Sequence, residues 1–266
     1  MSKIRLSSLK RCKAEGNKFV VLTSYDASFA QLSDEAGIEV LLVGDSLGNV
    51  IQGLDSTVPV TIDQMAYHVT CVARGNKNAM IMADMPYMTY TSEVAALENA
   101  TRLMQAGAHI IKLEGGAWLG PIIQRLTECG IPVCAHIGLL PQSVDKLGGY
   151  KVQGTDQSGA DTLKSDAQAL QSAGVDLLLM ECMPSDLASE ITAELNIPTI
   201  GIGAGAGTDA QVMVLHDILG LKTRPTPKFV KNFLADACSV EAAISAYADA
   251  VRNGQFPAPE HCYSKP

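Results

Sequence analysis

The chain has no Cys-x-x-Cys pair, no excess of basic residues and no apolar run long enough to cross a bilayer. Its seven cysteines are scattered, which argues against a structural zinc site or a disulfide framework, so we expect reduced thiols. The formal net charge of −8 argues against a nucleic-acid partner, which needs a basic face. The N-terminal residues mix basic and polar side chains without an apolar signal core, so we expect a cytoplasmic protein with no membrane partner.

What the sequence has in abundance is short apolar runs, each followed by a polar side chain. Continuous apolar runs of this length are typical of parallel strands that are covered on both faces. The runs and the polar residues after them are Val40–Val43 with Asp45, Ile81–Ala83 with Asp84, Ile110–Leu113 with Glu114, Val133–Ala135 with His136, and Leu177–Met180 with Glu181.

Capped helices separate these runs. Thr61–Gln64 has the form of a capping box, and the helix that it begins is expected to end at Gly75. The unit of capped helix, terminal glycine and apolar strand recurs along the chain, which predicts an α/β fold with a (β/α)8 TIM barrel over residues 1–266 as a single domain. The alternative is an open doubly wound sheet, which predicts a topological switch point.

Some segments are expected to depart from the repeat. We expect a short N-terminal helix over Ser8–Glu15, strand eight over Val212–His216, and closing helices between Phe229 and Val251. The tail from Phe256 onward is expected to lie on the surface or on a neighbouring subunit. Leu140–Gly159 is too long for an ordinary connection, and its glycines predict a mobile lid.

The C-terminal ends of barrel strands meet at one mouth, so the polar residues that follow the runs should lie together. Carboxylates gathered there repel one another, and a hard divalent cation relieves that repulsion. We therefore predict Mg2+ with Asp45 and Asp84 as direct ligands. Helix capping is the commoner role for a single acid at a strand end, and Asp26 is expected to have it.

Strand alternation places Lys112 and Glu114 on the same side of their strand. There the lysine would suit a substrate carboxylate; the alternative is that the two side chains simply neutralise each other. Apolar neighbours make Glu181 the candidate general base, with support of the metal site as its alternative role. His136 either binds a substrate oxygen or is a packed polar residue. Cys182 is expected to face away from Glu181 and to have no catalytic role.

The glycines of Gly201–Ala206 match a loose dinucleotide pattern. No convincing helix opens at its end, so close approach of the backbone to a ligand or lid is the plainer interpretation.

Eight motifs are spread along almost the whole chain, namely Thr23–Asp26, Val43–Gly48, Ala83–Pro86, Ile111–Gly116, Ala135–Leu139, Gly148–Gly154, Ile202–Gly205 and Val214–Asp217. Together they resemble the motifs of the ketopantoate hydroxymethyltransferase family. One departure is Ala210, because the family usually has glycine before the glutamine at this point.

The resemblance implies a (β/α)8 barrel in which Glu114 joins Asp45 and Asp84 around Mg2+, and Glu181 accepts a proton. It implies transfer of a hydroxymethyl group from 5,10-methylenetetrahydrofolate to 3-methyl-2-oxobutanoate, giving 2-dehydropantoate and tetrahydrofolate by an enolate, in a homo-oligomer that is a decamer in bacterial relatives. The residues that it implies as contacts of the 2-oxo acid are Asp45, Ser46, Asp84 and Lys112.

Two rival functions remain open on the residues alone. Lys112 is able in principle to form a Schiff base, which would make the chain a metal-independent, aldolase-like enzyme. The other rival is a non-catalytic barrel that binds a metabolite, although clustered carboxylates count against it.

Overall fold

Eight parallel strands close into a barrel in the computed structural model, which describes residues 3–221 and 226–264. Strand order follows sequence order, and the last strand pairs with the first. The predicted (β/α)8 barrel is therefore confirmed, and an open sheet is excluded. The strands are β1 (Phe19–Thr23), β2 (Val40–Val43), β3 (Met80–Asp84), β4 (Ile110–Glu114), β5 (Val133–Gly138), β6 (Leu177–Glu181), β7 (Thr199–Ile202) and β8 (Ala210–Met213).

Helices surround the barrel and cover the outer faces of its strands. Every residue of β1 to β4 is buried, because both faces of each strand are covered, and the buried residues include the charged Asp84, Lys112 and Glu114. None of the described helices combines the length and apolar character that crossing a bilayer requires. The helices are α1 (Leu6–Glu15), α2 (Ala27–Glu35), α3 (Leu47–Val50), α4 (Ile62–Gly75), α5 (Glu93–Ala106), α6 (Gly120–Glu128), α7 (Val144–Leu147), α8 (Gln157–Ser172), α9 (Ser185–Glu194), α10 (Leu215–Ile218) and α11 (Val240–Arg252).

The helix caps lie where the sequence predicts them. Asp26 accepts a hydrogen bond from the backbone N–H of Phe29 at 2.9 Å and begins α2. Thr61 and Gln64 exchange side-chain and backbone hydrogen bonds at the start of α4, which is the expected capping box. These side chains satisfy backbone donors that the first turn of a helix leaves free, so each cap sets a helix boundary locally.

Strand eight is shorter and earlier than predicted. It pairs with β1 only as far as Met213, and His216 lies in α10 instead of in the strand. The cause is a tertiary contact, because the hydroxyl of Thr23 accepts a hydrogen bond from the backbone N–H of Leu215 at 2.9 Å and the chain turns there. Helix α8 begins at Gln157, with Asp156 as its N-cap.

The C-terminal tail begins in the core at Phe256, where the expected surface position is wrong, whereas Pro259 and Glu260 are exposed as expected. Contact of the tail with a neighbouring subunit stays a prediction. Phe256 is 2% exposed and packs edge-on against Phe233 and Tyr247. The Tyr247 hydroxyl donates to the carbonyl of Val21 in β1 and that of Gln211 in β8. This aromatic cluster ties α11 and the tail to the seam where the barrel closes.

Candidate active site

The C-terminal ends of the strands open into one cavity of about 930 Å³. It lies inside the barrel mouth, as the polar strand ends predict, and it brings together side chains that are far apart in sequence. All seven residues predicted for the site line it, namely Asp45, Ser46, Asp84, Lys112, Glu114, His136 and Glu181.

Asp45 and Asp84 form a buried pair of carboxylates. The backbone N–H of Asp45 donates to Oδ2 of Asp84 at 3.1 Å, and each residue is only 3% exposed. Burial, followed by repulsion from Asp84 and Glu114, raises the pKa of Asp45 well above its ordinary value. Burial also raises the pKa of Asp84, although the ammonium of Lys112 opposes it. A divalent cation would relieve the repulsion between these carboxylates, which the single ammonium offsets only in part.

The donor set suits a hard cation that keeps water or substrate in its shell. Carboxylate oxygens are the ligands that Mg2+ prefers, and Mg2+ commonly takes only one or two of them from the protein. Within residues 3–221 and 226–264, no group of three or more His, Cys, Asp or Glu side chains is arranged as a ready-made metal site. The two aspartates by themselves fit a cation that takes its other ligands from water or substrate.

Lys112 lies among acids at the floor of the mouth. Its Nζ is 3.1 Å from Oδ1 of Asp84, 3.6 Å from Oε1 of Glu114 and 3.2 Å from Nδ1 of His136. Burial disfavours its charge, but Asp84, Glu114 and Asp45 outweigh that effect and raise its pKa above the ordinary value. The amine is thus held protonated, without the lone pair that Schiff-base formation needs.

His136 connects two acids across the mouth. Its Nδ1 is 3.3 Å from Oε1 of Glu114, and its Nε2 is 3.3 Å from Oε2 of Glu181. Burial and Lys112 lower the pKa of His136, whereas the two glutamates raise it, and the net shift is upward. Among the mouth acids, the side chain of Glu181 is 15% exposed against 3% for Glu114, so Glu181 lies nearer the opening.

The expectation that Cys182 faces away from the site is wrong, because this residue also lines the cavity. Its φ of 48° turns the chain sharply after β6 and breaks the alternation on which the expectation depended. Burial, with a smaller contribution from Glu181, raises the pKa of the thiol, which keeps it protonated and a poor nucleophile.

The glycines of Gly201–Ala206 approach protein side chains closely. Gly203 has φ 59°, and a Cβ there would lie 2.8 Å from the ring of Phe229 and 3.2 Å from that of Tyr263. The next element is β8, so no helix N-terminus is available for a dinucleotide phosphate. The backbone here does approach its surroundings closely, and the neighbours are protein side chains, such as Phe229 and Tyr263 at Gly203 and Ser185 at Gly205. Approach to a ligand or lid stays a prediction.

The segment predicted as a lid reaches the site. Tyr150 is 58% exposed and lines the cavity, and the backbone N–H of Gln153 donates to the carbonyl of Cys182 at 2.8 Å. This places the segment beside the end of β6. Its mobility stays a prediction.

Several site residues escaped the sequence analysis. Tyr25 bonds the hydroxyl of Ser46 at 2.9 Å, and Gln142 donates to Asp45 from the loop after β5. Asp217 lines the cavity, where burial raises its pKa to about 6. Only Tyr25 and Asp217 had a signal, since both lie in motifs of the family resemblance.

A family model described as ketopantoate hydroxymethyltransferase matches residues 3–259 of this chain. The chain belongs to this family. It is 56% identical over 260 residues to the 3-methyl-2-oxobutanoate hydroxymethyltransferase of Marinobacter nauticus, with 98% of each chain covered. It is 55% identical over 262 residues to the enzyme of the same name from Idiomarina loihiensis, again with 98% of each covered. Family membership makes the chain a transferase.

A solved structure shares the fold at much lower identity. The phosphoenolpyruvate phosphomutase of Streptomyces platensis subsp. rosaceus superposes with a TM-score of 0.61 at 14% identity, covering 81% of this chain and 82% of its own. At that identity the similarity establishes the barrel architecture and nothing about the reaction.

Proposed function

We propose that this member of the ketopantoate hydroxymethyltransferase family transfers a hydroxymethyl group from 5,10-methylenetetrahydrofolate to 3-methyl-2-oxobutanoate. The products are 2-dehydropantoate and tetrahydrofolate, in pantothenate biosynthesis. The observation that carries the proposal is the charge pattern of the cavity, where Asp45 and Asp84 lie beside a protonated Lys112. That pattern suits a metal together with an anionic 2-oxo acid.

Mg2+ is the proposed cofactor, held by Asp45 and Asp84. When bound, it supplies Lewis-acid stabilisation of the charge that develops on the keto oxygen as C3 loses its proton. Glu114 is proposed as the third contributor. Its Oε2 accepts a hydrogen bond from the backbone N–H of Gln142 at 3.0 Å, and its Oε1 faces Lys112 and His136, so the carboxylate would add its charge to the site from a fixed orientation.

The protein residues orient the substrate and move one proton. Lys112 holds the substrate carboxylate, and Ser46 and His136 contact its oxygens. Glu181 takes the proton from C3, and the resulting enolate forms a C–C bond to the one-carbon unit that folate supplies. One water is consumed: it provides the hydroxyl oxygen of the product, both C–N bonds from the methylene carbon to folate break, and tetrahydrofolate leaves as the free amine. The position of Glu181 near the opening supports this role, because the base must face a substrate that enters from outside.

Proton NMR of 3-methyl-2-oxobutanoate in D2O tests the proposal. With protein and Mg2+ but no folate, we expect loss of the C3 proton signal, and after addition of 5,10-methylenetetrahydrofolate we expect 2-dehydropantoate. The exchange should stop with EDTA and in Glu181→Gln. An intact C3 signal and no product from folded protein would contradict the enolate mechanism.

The two rival functions predict different results in the same NMR assay. A Schiff-base aldolase would keep its activity in EDTA and would be trapped by borohydride at Lys112. A binding module would bind the oxo acid and leave its C3 proton in place.

We also propose that residues 1–266 act as one domain in a cytoplasmic homo-oligomer, specifically a decamer. Exposed apolar side chains support an oligomer, since Tyr67, Met88 and Val94 are 66%, 61% and 65% exposed. Light scattering coupled to size exclusion measures the assembly mass, and a monomeric mass would contradict the proposal.

A further inference from the structure

Gln142 contacts the mouth carboxylates at two points. It lies in the short 3-10 turn Pro141–Ser143 after β5 and is 5% exposed. Its side-chain Nε2 donates to Oδ2 of Asp45 at 2.8 Å, and its backbone N–H donates to Oε2 of Glu114 at 3.0 Å. Gln142 therefore forms hydrogen bonds with carboxylates from two strand ends, Asp45 after β2 and Glu114 at the end of β4.

The orientation of the Gln142 amide is determined by its other partners. The hydroxyl of Tyr90 donates to Oε1 of Gln142 at 2.6 Å, and Nε2 also donates to the carbonyl of Met85 at 3.0 Å. Rotating the amide by half a turn would set Oε1 against two acceptor oxygens, that of Met85 and that of Asp45. The buried network is satisfied in one orientation only, so it restricts how Asp45 turns.

We propose that Gln142 is a positioning residue of the metal site, whose amide holds Oδ2 of Asp45 so that Oδ1 stays available for the cation. This inference rests on the proposed function, which places the metal on Asp45 and Asp84. Partners of a ligating carboxylate orient it before the metal arrives, and their loss typically lowers metal affinity by about 10 to 100-fold.

Gln211 provides a matched control. It is equally buried at 2% exposure, and its Nε2 also donates two hydrogen bonds, to the carbonyl of Gly205 at 2.9 Å and to Oγ1 of Thr208 at 2.8 Å. Neither partner is a carboxylate. Gln211→Leu thus removes two buried side-chain hydrogen bonds, against three in Gln142→Leu, without touching an acid of the mouth.

The test measures the Kd for Mn2+ binding to the metal-free full-length chain. Electron paramagnetic resonance monitors the concentration of free Mn2+ during the titration. We expect Gln142→Leu to raise the Kd for Mn2+ by about 10 to 100-fold, Tyr90→Phe to raise it by less, and Gln211→Leu to leave it unchanged. In the NMR exchange assay, Gln142→Leu should raise the Mg2+ concentration needed for half-maximal exchange, and saturating Mg2+ should restore most of the rate.

An unchanged Kd in Gln142→Leu, or an equal rise in Gln211→Leu, would overturn the positioning role while leaving the proposed function intact. If wild-type protein bound no Mn2+, both the positioning role and the proposed metal site would fail. Should Gln142→Leu not fold, Gln142→Asn decides the question, because it keeps a buried amide on a side chain one methylene shorter, which withdraws the amide from Asp45. A wild-type Kd in Gln142→Asn would then overturn the proposal.

Discussion

Replacing Lys112 with methionine should destabilise the protein because it leaves buried acids without their cation. The ammonium lies 3.1 Å from Asp84 and 3.6 Å from Glu114, and all three side chains are at most 4% exposed. At an effective dielectric constant of about 20, each contact is worth about 5 kcal/mol of attraction before the cost of burying the charges. Breaking one side of a buried ion pair typically costs about 3 to 5 kcal/mol overall.

The loss of stability in Lys112→Met should increase as pH rises. Without Lys112 the pKa of Asp84 rises further, so the folded variant binds more protons than the unfolded chain does at pH values above the ordinary pKa of an aspartate, about 3.9. The stability of the variant then falls as pH rises, and its deficit against wild type should be larger at about pH 8 than at about pH 5.5.

Guanidinium unfolding in EDTA, followed by circular dichroism, measures both effects. Lys10→Met is the control, since Lys10 forms an ion pair with Asp176 at 3.0 Å on the surface with its side chain 49% exposed. That loss should be at most about 1 kcal/mol. Equal stability of Lys112→Met and wild type at high pH would refute the reasoning that the mouth acids depend on this ammonium.

Three further predictions concern the base, a buried acid and a constrained glycine. Glu181→Gln should slow C3 proton exchange by about 10² to 10⁴-fold with little change in substrate binding, because only proton acceptance is lost. Burial raises the pKa of Asp217 to about 6, so wild-type stability falls as pH rises from about 4 to about 6. Asp217→Asn should therefore raise the free energy of unfolding at neutral pH. We expect a gain of about 1 to 3 kcal/mol after allowance for partial solvent contact. Gly138→Ala should cost about 3 kcal/mol or more, since φ is 92° and a Cβ would lie 2.2 Å from the carbonyl oxygen of Glu181.

Each of these three predictions can be measured directly, and each has an outcome that would contradict it. A normal exchange rate in Glu181→Gln would exclude it as the base. Chemical unfolding of Asp217→Asn at two pH values should show the gain at neutral pH and none at about pH 4, and a pH-independent effect would exclude burial of charge as its cause. Gly130→Ala is the control for Gly138→Ala, because Gly130 has φ 80° with nothing within 4 Å of a Cβ, and equal losses would contradict the predicted clash.

Much of the barrel follows from local sequence. Caps such as those at Asp26 and Thr61 act within one helical turn, and a strand such as β2 is apolar at every position because both of its faces are buried. The polar residues at strand ends were also predictable, since parallel strands of a barrel place their C-terminal ends at one mouth. Failures occurred where a distant contact decided the chain path, as Thr23 does for the end of β8.

By itself, the sequence determined the order of helices and strands and the acids and lysine that face the mouth, because these depend on periodicity and on neighbours a few residues away. Only the tertiary structure decided that Gln142 holds Asp45, a contact across 97 positions. It also decided that Cys182 turns into the cavity and that Asp217 has a raised pKa. Hydrogen-bond partners and burial depend on residues that meet only when the barrel closes, so no local pattern encodes them.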